Sequence, residues 1–322
     1  MKKILLTASL FLALFSCQND DEATTPEQAI AETDSLSVHR GCASEEVFER
    51  QMRENPDMVS RINSIEEFTE RAIKEGRLVN GKVQIPVVVN VLYRTSAENI
   101  SLALIQSQIN VLNKDFNAAN SEFSTVPAAF SSIKANVGIT FVLETVYRKA
   151  TTKTSWGTND SMKKSVYGGI NPSSPTKKLN FWVCTVGNGI LGYAQFPGGP
   201  SSTDGIVVDG KHFGLSGTSA YPYNLGRTAT HEVGHWLNLR HIWGDAACGT
   251  DLVSDTPAHN TANYGAPSYP HQSTCYGNPI EMTMNYMDYT DDRAMYMFSN
   301  GQKSRINAVF VTGGPRNTFA QP

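Results

Sequence analysis

Apolar positions along the chain follow two periodicities, one typical of strands and one typical of helices. Val83–Tyr93 is an almost unbroken apolar run rich in β-branched residues, which predicts a buried strand. The segment 101–117 carries apolar residues at spacings of three and four, which predicts an amphipathic helix. Shorter apolar runs predict further strands at 138–146, 179–184, 191–196 and 206–208.

Helical patterns flank this strand-rich region on both sides. On the N-terminal side, 45–76 has a helical pattern, with Ser64 to Glu67 in the form of a capping box and Gly76 as a stop. On the C-terminal side we expect helices at 224–238 and 301–311, separated by a stretch rich in Gly, Pro, Asn, Asp and Ser. The pattern predicts an α+β fold, with a mixed, twisted sheet and helices followed by an irregular C-terminal subdomain.

The first 17 residues have the features of an export signal. Lys2 and Lys3 precede an apolar run, 4–15, that is too short to span a membrane. Ser16-Cys17 resembles a bacterial lipobox, which implies cleavage before Cys17 and acylation of its thiol. The alternative is a conventional cleavage site beside an incidental cysteine. We therefore expect an exported protein, either an outer-membrane or cell-surface lipoprotein anchored at Cys17 or a protein secreted after processing.

The next segment, 18–60, is predicted to be an acidic tether followed by a pro-segment. Between positions 18 and 34 there are six acidic residues, no basic residues and almost nothing apolar, which is typical of a solvated spacer. The remaining residues, 61–322, are predicted to form the main domain, since the chain length suits one sizeable domain with an N-terminal extension, or else two small domains.

Composition narrows the class of protein without identifying a function. The 322 residues are 40% hydrophobic and 18% charged, which is ordinary for a globular protein. A formal net charge of −3 gives no basic surface for nucleic acid, so no nucleic-acid partner is expected. Beyond the N-terminal run, no uncharged apolar stretch is long enough to cross a bilayer.

The sequence His231-Glu-Val-Gly-His235 is the strongest sign of chemistry in the chain. Residues four apart lie on one face of a helix, so both imidazoles can bind one metal ion. Glu232 lies beside them. It can take a proton from a water that zinc has made more acidic and later pass it to a leaving amine. A structural zinc site is not indicated, since such sites usually have four protein ligands and often use cysteines.

A catalytic zinc needs a third protein ligand and one open position, and His241 fits the third place. On a straight helix His241 would lie about 15 Å beyond His231 along the axis. It can reach the same metal only if the helix ends and the chain turns back. Asn238 stands where that must happen, and Asn tolerates the left-handed conformation of a helix C-cap.

The segment 231–241 resembles the metzincin signature HExxHxxGxxH, with Asn238 in place of the usual glycine. The segment 285–289 is similar to the metzincin Met-turn. This implies that Met287 forms an apolar floor beneath the metal and that Tyr289 stabilises the oxyanion. Ordinary core packing is the alternative for Met287.

The similarity is greater to the pappalysin family, and within it to ulilysin-like bacterial enzymes. The segments that carry it are 191–197, 231–241, 251–257 and 285–292. The resemblance implies a metzincin-like catalytic domain and zinc-dependent endopeptidase activity on proteins or peptides.

The same resemblance assigns the substrate-binding elements. It implies that 191–196 is the edge strand above the cleft, with Gly192, Tyr193 and Ala194 binding substrate as an added strand. An ordinary edge strand is the alternative. Asp292 falls where the family lines the pocket for the residue after the scissile bond, so Arg, then Lys, is predicted at P1′. Asp291 is a close competitor, and a solvated loop acid is the plain alternative.

The loop 244–256 is rich in the hard oxygen ligands that calcium prefers. The predicted calcium ligands are Asp245, Asp251, Asp255 and Thr256. The family resemblance supports a structural Ca²⁺ in this loop, and turn chemistry alone is the alternative. Cys248 and Cys275 flank the region and resemble the family's disulfide, which would brace the loop.

Cys42 lies in the pro-segment, and its thiolate would be a strong zinc ligand. At the open position it would displace the water and silence the enzyme, a cysteine switch that the resemblance to pappalysin-family zymogens supports. The competing interpretation is a Cys42–Cys184 disulfide. If P1′ prefers Arg, the enzyme can activate itself by cutting between Ser60 and Arg61. That cut would remove Cys42 and any lipid anchor together.

Three functions compete to explain these features. A zinc-dependent endopeptidase accounts for the metal ligands, the base and the Met-turn together. A zinc hydrolase of an ester or an N-acyl amide leaves the Met-turn and the peptide-binding strand unexplained. A surface-anchored, calcium-dependent binding protein with a vestigial zinc site would have no need of Glu232.

Overall fold

Residues 40–76, 83–215 and 219–319 are described by the computed structural model. The predicted export signal, the lipobox at Cys17 and the acidic tether at 18–34 lie outside the described residues. The predicted domain boundary at residue 60 falls inside a helix, which is described below.

A five-stranded sheet forms the centre of the described structure. The strands of the protein are β1 (Val83–Tyr93), β2 (Lys134–Ala135), β3 (Ile139–Ala150), β4 (Leu179–Cys184), β5 (Gly192–Ala194), β6 (Ile206–Asp209) and β7 (Phe298–Ser299). Five of them form one sheet in the order β3-β1-β4-β6-β5, in which β5 is antiparallel to β6 and the other pairs are parallel. β2 and β7 pair separately. The predicted mixed sheet is confirmed, and β5 lies at its edge.

Helices lie before, between and after the strands. They are α1 (Ser44–Glu54), α2 (Asp57–Lys74), α3 (Leu102–Phe116), α4 (Arg227–Trp236) and α5 (Asn300–Ala308). Short 3₁₀ segments occur at Ser121–Thr125, Ala128–Phe130, Ser161–Lys163, Ser165–Tyr167, Ser201–Thr203, Gly210–His212 and Asp292–Ala294. Within the described ranges, no helix combines the length and the apolar character needed to cross a membrane.

The single helical stretch predicted at 45–76 is in fact two helices. Pro56 lies between α1 and α2, since it has no N–H to donate and its ring clashes with the preceding turn of a continuous helix. The capping box predicted from Ser64 is wrong. Ser64 lies inside α2, and its hydroxyl donates to the Ser60 carbonyl (2.9 Å). Gly76 follows the end of α2 with a φ of +65°, so the predicted stop is confirmed.

Both faces of the sheet are buried. The inner face packs on α3 and α4 in a large apolar cluster that includes Val89, Leu112 and Val233. The outer face forms a second cluster around Tyr193 of β5, and Val47 of α1 packs into it. Burial on both faces explains the near-continuous apolar runs of β1 and β4. Helix α1 therefore covers the outer face beside the edge strand.

A buried ionic group fixes the start of α4 against α3. Asp115 of α3 accepts hydrogen bonds from Arg227 Nε (3.2 Å) and from the Thr230 hydroxyl (2.7 Å), and all three residues are buried. A buried charge that loses its partner costs several kcal/mol. This group therefore restrains the helix that carries the His-Glu-His motif.

The C-terminal part is largely irregular, as predicted. The disulfide Cys248–Cys275 is present and closes a segment of the chain with little regular structure. Helix α5 ends the fold, with Ser299 as its N-cap in a complete capping box with Gln302.

Candidate active site

Three candidate active-site side chains lie on the buried helix α4. His231, Glu232 and His235 each have 1% or less of their surface exposed. The helix begins after Gly226, whose φ of +77° is the left-handed turn that starts it. Because His231 and His235 are four residues apart, their rings lie on one face with centroids 4.7 Å apart.

The chain reverses direction at Asn238, as predicted. Asn238 has a φ of +71°, and Leu239 N donates back to the Gly234 carbonyl (2.9 Å). This turn brings His241 beside the helix. The Nε2 atom of His235 lies 3.1 Å from that of His231 and 3.1 Å from that of His241. Three imidazoles therefore converge on one point.

Oxygen atoms on the far side of each ring decide which nitrogen carries the proton. The Nδ1 atoms of His231, His235 and His241 lie 2.7 Å from Tyr286 O, 2.8 Å from Leu239 O and 2.5 Å from Asp245 Oδ1, respectively. Each Nδ1–H donates to its oxygen, so the three Nε2 lone pairs face one another. Lone pairs at 3.1 Å repel unless a cation lies between them. Three neutral imidazoles held in this way fit zinc, which takes His Nε2 and uses such outer hydrogen bonds.

Burial also favours the neutral, metal-binding form of the ligands. Desolvation, followed by the charge of the neighbouring imidazoles, holds the pKa of His231 well below its ordinary value. The pKa of His235 is likewise held well below its ordinary value, chiefly by burial. Both imidazoles are therefore unprotonated at neutral pH, as a zinc ligand must be.

Cys42 completes a four-residue group around the three imidazoles. Its Sγ and the histidine nitrogens all lie within 4.8 Å of one another, and in the described ranges no other group of three or more His, Cys, Asp or Glu is so arranged. Burial and the Glu232 carboxylate raise the pKa of the Cys42 thiol, whereas coordination to zinc would favour the thiolate. Cys184 is also a free thiol, so the two cysteines form no disulfide with each other.

Glu232 lies directly beneath the edge strand and beside Cys42. Its Oε2 accepts a hydrogen bond from the Ser44 hydroxyl (2.8 Å) and lies 3.4 Å from Cys42 Sγ. Burial raises the pKa of Glu232 to about 7, although both of these contacts and Arg40 lower it. Gly192 of β5 passes so close that an added Cβ would lie 3.1 Å from Glu232 Cγ. The same Cβ would lie 2.8 Å from the Val207 carbonyl oxygen, so glycine lets β5 pass between β6 and the Glu232 side chain.

The free edge of β5 is covered by residues 41–44. Cys42 forms a parallel bridge with Gly192. Three hydrogen bonds accompany it: Leu191 N to Gly41 O (2.8 Å), Ala43 N to Gly192 O (3.1 Å) and Ala194 N to Ser44 Oγ (2.8 Å). The backbone groups predicted to bind substrate are therefore occupied by residues 41–44.

Met287 packs against α4, the helix that carries His231 and His235. Its side chain is fully buried, and a Cβ added to Gly234 would lie 2.3 Å from Met287 Sδ. Its carbonyl accepts from Ile242 N (3.1 Å), so the same turn also holds the chain next to His241. Met287 thus packs against α4 at Gly234, the residue before His235, as the predicted floor residue would.

Tyr289 reaches the same centre from the other side. Its hydroxyl donates to the Cys42 carbonyl oxygen (3.3 Å), and its ring stands edge-on to His241, with centroids 4.9 Å apart. Burial raises the pKa of Tyr289 well above its ordinary value, so the phenol remains a hydrogen-bond donor. It is therefore placed to donate to a carbonyl oxygen that lies where the Cys42 carbonyl lies now.

Asp292 holds an arginine that the sequence analysis missed. Arg40 Nη2 donates to Asp292 Oδ1 (2.6 Å), and both side chains are buried. The other oxygen of Asp292 accepts from Leu225 N (2.8 Å) and Arg227 N (3.1 Å). The sequence did contain a sign of this contact. Arginine is the residue type predicted for P1′, and Arg40 stands two positions before Cys42.

Three further contacts define this pocket. The Arg40 side chain also approaches Thr290 O (3.3 Å) and Thr228 Oγ1 (3.4 Å), and its guanidinium lies 4.7 Å from the centre of the Tyr223 ring. Asp291, the predicted competitor, instead pairs with Arg293 (3.5 Å). Asp292, and not Asp291, is therefore the acid that pairs with Arg40.

Of the four predicted calcium ligands, Asp251 and Thr256 contact each other, whereas Asp245 and Asp255 have other partners. Asp245 is engaged with His241, and Asp255 accepts from Ser299 Oγ (2.6 Å) and Gly301 N (2.8 Å) at the start of α5. Asp251 instead accepts the Thr256 hydroxyl, at 2.9 Å from each carboxylate oxygen. Asp245 therefore orients His241, and Asp255 binds the start of α5.

Known proteins match the chain over the region that contains this site. The family model described as pregnancy-associated plasma protein-A matches residues 174–311. An extracellular metalloprotease of Pyricularia oryzae is 33% identical over 222 residues, which are 67% of this chain and 70% of that protein. The chain belongs to the pappalysin family of metalloproteases. A further pappalysin-family relative, an extracellular metalloprotease of Arthroderma benhamiae, is 30% identical over 231 residues, 70% of this chain and 76% of that protein.

Two solved structures share the pappalysin-family fold. Mature mirolysin of Tannerella forsythia, in complex with a cleaved peptide, is 41% identical with a TM-score of 0.71 and covers 76% of this chain and 100% of that chain. A promirolysin variant from the same organism is 40% identical with a TM-score of 0.78 and covers 88% of this chain and 100% of that chain. The metalloendopeptidase prediction is thus confirmed, and the family implies a catalytic zinc. The alternative of a binding protein with a vestigial site is not supported.

Replacing the base should abolish turnover without removing the metal. We expect Glu232→Gln to lower kcat/KM for a quenched peptide by a factor on the order of 10³, because a general base contributes about 10²–10⁴. Zinc content should stay the same, since the three imidazoles are intact. The measurement is peptide cleavage together with atomic absorption, with the exposed Glu144→Gln as the control. Retained cleavage would remove Glu232 from the reaction, and lost zinc would make its effect structural.

Proposed function

We propose that the protein is the latent precursor of a zinc endopeptidase that cleaves before Arg and, less efficiently, before Lys. One observation carries this proposal: the pro-segment occupies the cleft in the manner of a bound peptide. Arg40 lies on Asp292, Cys42 lies at the three histidines, and 41–44 pair with β5. Mirolysin, the similar protease from Tannerella forsythia, binds a cleaved peptide and also exists as promirolysin.

The residues around the histidines suit peptide hydrolysis. Bound at the three Nε2 atoms, zinc supplies a Lewis acid that makes water nucleophilic at neutral pH. Glu232 takes one proton from the attacking water as the C–O bond forms. It then gives that proton to the amide nitrogen as the C–N bond breaks. Tyr289 donates its hydroxyl proton in a hydrogen bond to the oxyanion of the tetrahedral intermediate.

The edge strand β5 aligns the substrate. Leu191 N, Gly192 O and Ala194 N already bond residues 41–44, so the same groups can bind an extended substrate once the pro-segment leaves. The Gly192 position, directly above Glu232, then brings a scissile carbonyl close to the base. This supports the assignment of Gly192, Tyr193 and Ala194 to substrate binding.

Asp292 supports the P1′ preference. Its carboxylate is buried and is held from behind by two backbone N–H groups, so its Oδ1 remains aimed into the pocket. An arginine fills the pocket with additional contacts to Thr290 O and to the Tyr223 ring. A lysine ammonium can pair with the carboxylate but lacks the flat fork of nitrogens that makes the other contacts. Arg is therefore preferred over Lys.

The Asp292 assignment is tested by its amide variant. We expect Asp292→Asn to lower kcat/KM for a P1′ Arg peptide about 10- to 100-fold, the range expected when a hydrogen bond between charged groups is lost. Cleavage of the same peptide with citrulline at P1′ should change little. Asp291→Asn is the matched control and should keep the Arg preference. An unaltered Arg-to-citrulline ratio in Asp292→Asn would contradict the assignment.

Latency follows from the direction of the pro-segment as well as from its thiol. In a substrate the residue in the Asp292 pocket follows the scissile bond, whereas Arg40 precedes Cys42. The pro-segment therefore runs opposite to a substrate, and it presents a thiol where a substrate presents its carbonyl. Cys42 as a fourth zinc ligand would exclude the reacting water.

The switch is tested by a pair of cysteine variants. We expect the unprocessed Cys42→Ala protein to cleave a peptide at least about tenfold faster than the parent chain, because removal of a metal ligand opens the fourth position. Cys184→Ala is the matched control, since it removes a buried free thiol outside the site, and it should remain latent. Equal latency in Cys42→Ala and the parent would contradict the switch. Equal activation by both variants would also contradict it, since loss of a thiol outside the site should not open the fourth position.

Cleavage between Ser60 and Arg61 is the proposed activation step. Both residues lie in the first half of α2 and are exposed, and Arg61 Nε donates to the Gly198 carbonyl (3.0 Å). The first turns of α2 must unwind before this bond can enter a protease cleft. N-terminal sequencing of the processed protein tests the site, and a start far from Arg61 would contradict it. The cut would also separate the enzyme from any lipid at Cys17.

Export remains part of the proposal. The matched Pyricularia and Arthroderma proteins are named extracellular metalloproteases, which supports secretion. Anchoring at Cys17 before processing is proposed from the sequence alone.

A structural calcium is proposed at a smaller site than the sequence indicated. The Thr256 hydroxyl lies 2.9 Å from each oxygen of the Asp251 carboxylate and 3.0 Å from the Val253 carbonyl oxygen, so three kinds of oxygen ligand meet at this turn. Burial raises the pKa of Asp251 to about 6, a cost that a bound cation would offset.

Calcium should raise the melting temperature of the protein by several degrees, since saturation at about 100 times Kd adds about 2.7 kcal/mol. Asp251→Asn should lose this gain, whereas the control Asp255→Asn should keep it. A melting temperature that is insensitive to calcium would contradict the site.

A further inference from the structure

Helix α1 places a second pro-segment arginine on a second acidic side chain. Arg50 Nη2 donates to Asp160 Oδ2 (2.5 Å) and to the Thr158 carbonyl (3.2 Å). The Asp160 side chain is 2% exposed. Arg40 with Asp292 and Arg50 with Asp160 are thus two similar ion pairs. In each, an arginine of the pro-segment donates to a buried carboxylate beside the cleft.

The two oxygens of Asp160 have different kinds of partner. Oδ1 pairs with the fully buried Lys163 ammonium (2.9 Å) and accepts from the Tyr193 hydroxyl (3.2 Å), and both partners belong to the catalytic domain. Oδ2 accepts from Arg50 and, at 3.5 Å, from Gln51. Within the part of the chain that the structure describes, the donors to Oδ2 therefore both lie on α1.

Loss of the pro-segment would leave Asp160 in place with Oδ2 uncovered. Lys163 Nζ also donates to the Thr203 carbonyl (2.8 Å), so the ammonium that holds Oδ1 is itself fixed by the catalytic domain. Asp160 has a left-handed backbone with φ +60° at the start of the Ser161–Lys163 turn, which further restrains it. Asp160 Oδ2 and the Thr158 carbonyl would then lose the Arg50 donor that they share, while Oδ1 keeps Lys163 and Tyr193.

This pair of acceptors lies beside the strand that binds substrate. Tyr193 is the central residue of β5, and its ring lies in the outer-face cluster that Val47 of α1 covers. The space vacated by α1 is therefore an apolar groove with two acceptors at its end. Such a groove suits the long aliphatic stem and cationic head of Arg or Lys.

The length of α1 gives the position of this side chain in a substrate. Ser44 contacts the catalytic base, and the six residues from Ser44 to Arg50 advance about 9 Å along a helix. An extended peptide covers that distance in about three residues. Since Arg40 fills the pocket for P1′, α1 lies on the opposite, non-primed side of the zinc.

We propose that Asp160 and the Thr158 carbonyl form a second specificity subsite, which binds Arg or Lys at P3 or P4 of the substrate. The inference rests on the proposed function, because it requires removal of the pro-segment and cleavage of an extended peptide. Asp160 acts here as a specificity-determining residue and takes no part in the bond-breaking steps.

The test uses the processed wild-type enzyme and quenched peptides with Arg fixed at P1′. Arg is compared with citrulline, its neutral isostere, at each position from P2 to P5. We expect citrulline to lower kcat/KM about tenfold at P3 or P4 and less than about twofold elsewhere, as one charge-assisted hydrogen bond implies. Asp160→Asn should abolish the difference, and Asp209→Asn, a buried carboxylate on β6, should preserve it.

Each result decides between the two proposals. Cleavage that depends on P1′ Arg but ignores citrulline at every upstream position overturns the subsite and leaves the proposed function intact. An Arg preference that survives in Asp160→Asn also overturns it. If that variant does not fold, because Lys163 loses its counter-ion, the wild-type comparison still decides. Failure to cleave any of the peptides overturns the proposed function and the subsite together.

Discussion

The active site depends on one constraint: three imidazole nitrogens must meet at a point although the third lies beyond the end of the helix. Neutral Nε2 atoms 3.1 Å apart do not gather by themselves, so other contacts must hold them. The left-handed turn at Asn238 supplies the reversal. The Tyr286 carbonyl and the Asp245 carboxylate, both from the irregular C-terminal part, orient two of the rings. The C-terminal part has little regular structure, yet its hydrogen bonds fix the orientation of these two imidazole rings.

Residues 40–44 pair with polar and charged groups of the cleft that would otherwise be buried without a partner. The edge of β5 carries hydrogen-bonding groups, Asp292 is a buried carboxylate, and Glu232 is a buried base. Residues 40–44 provide a partner for each of them within one short stretch. Buried charges and edge strands are stable only when they are paired or covered. Under the proposed function, the same groups bind substrate after the pro-segment leaves, so inhibition and recognition would use one set of groups.

How much the sequence predicted depended on the range of the interactions. β1 and β4 were predicted at their observed bounds because their apolar runs are set by burial on both faces. The reversal at Asn238 and the disulfide Cys248–Cys275 were also predicted, the first from local backbone preference and the second from the family resemblance. The break at Pro56 was missed because the apolar period continues across it, although proline itself was a local signal.

Partnerships between distant residues could not be read from the chain in the same way. Arg40 meets Asp292 across 252 positions, and no local pattern connects them. Asp245 was assigned to calcium because its neighbours are acidic, whereas its actual partner is His241. These two residues are four positions apart, but outside a helix such spacing carries no geometric meaning. The ionic roles of carboxylates in irregular loops follow from tertiary folding, which composition does not reveal.

The part of α2 that follows residue 61 has a structural reason to remain after activation. Both oxygens of Glu66 accept from Arg305 Nη2 at 2.6 Å, and Arg305 Nε donates to the Asn238 carbonyl (2.7 Å). Glu66 thus supports the turn that positions His241. A cut after Glu66 would remove this support, whereas a cut before Cys42 would leave the thiol attached. The proposed activating cut would therefore fall between these two limits, and the exposed first turns of α2 satisfy both.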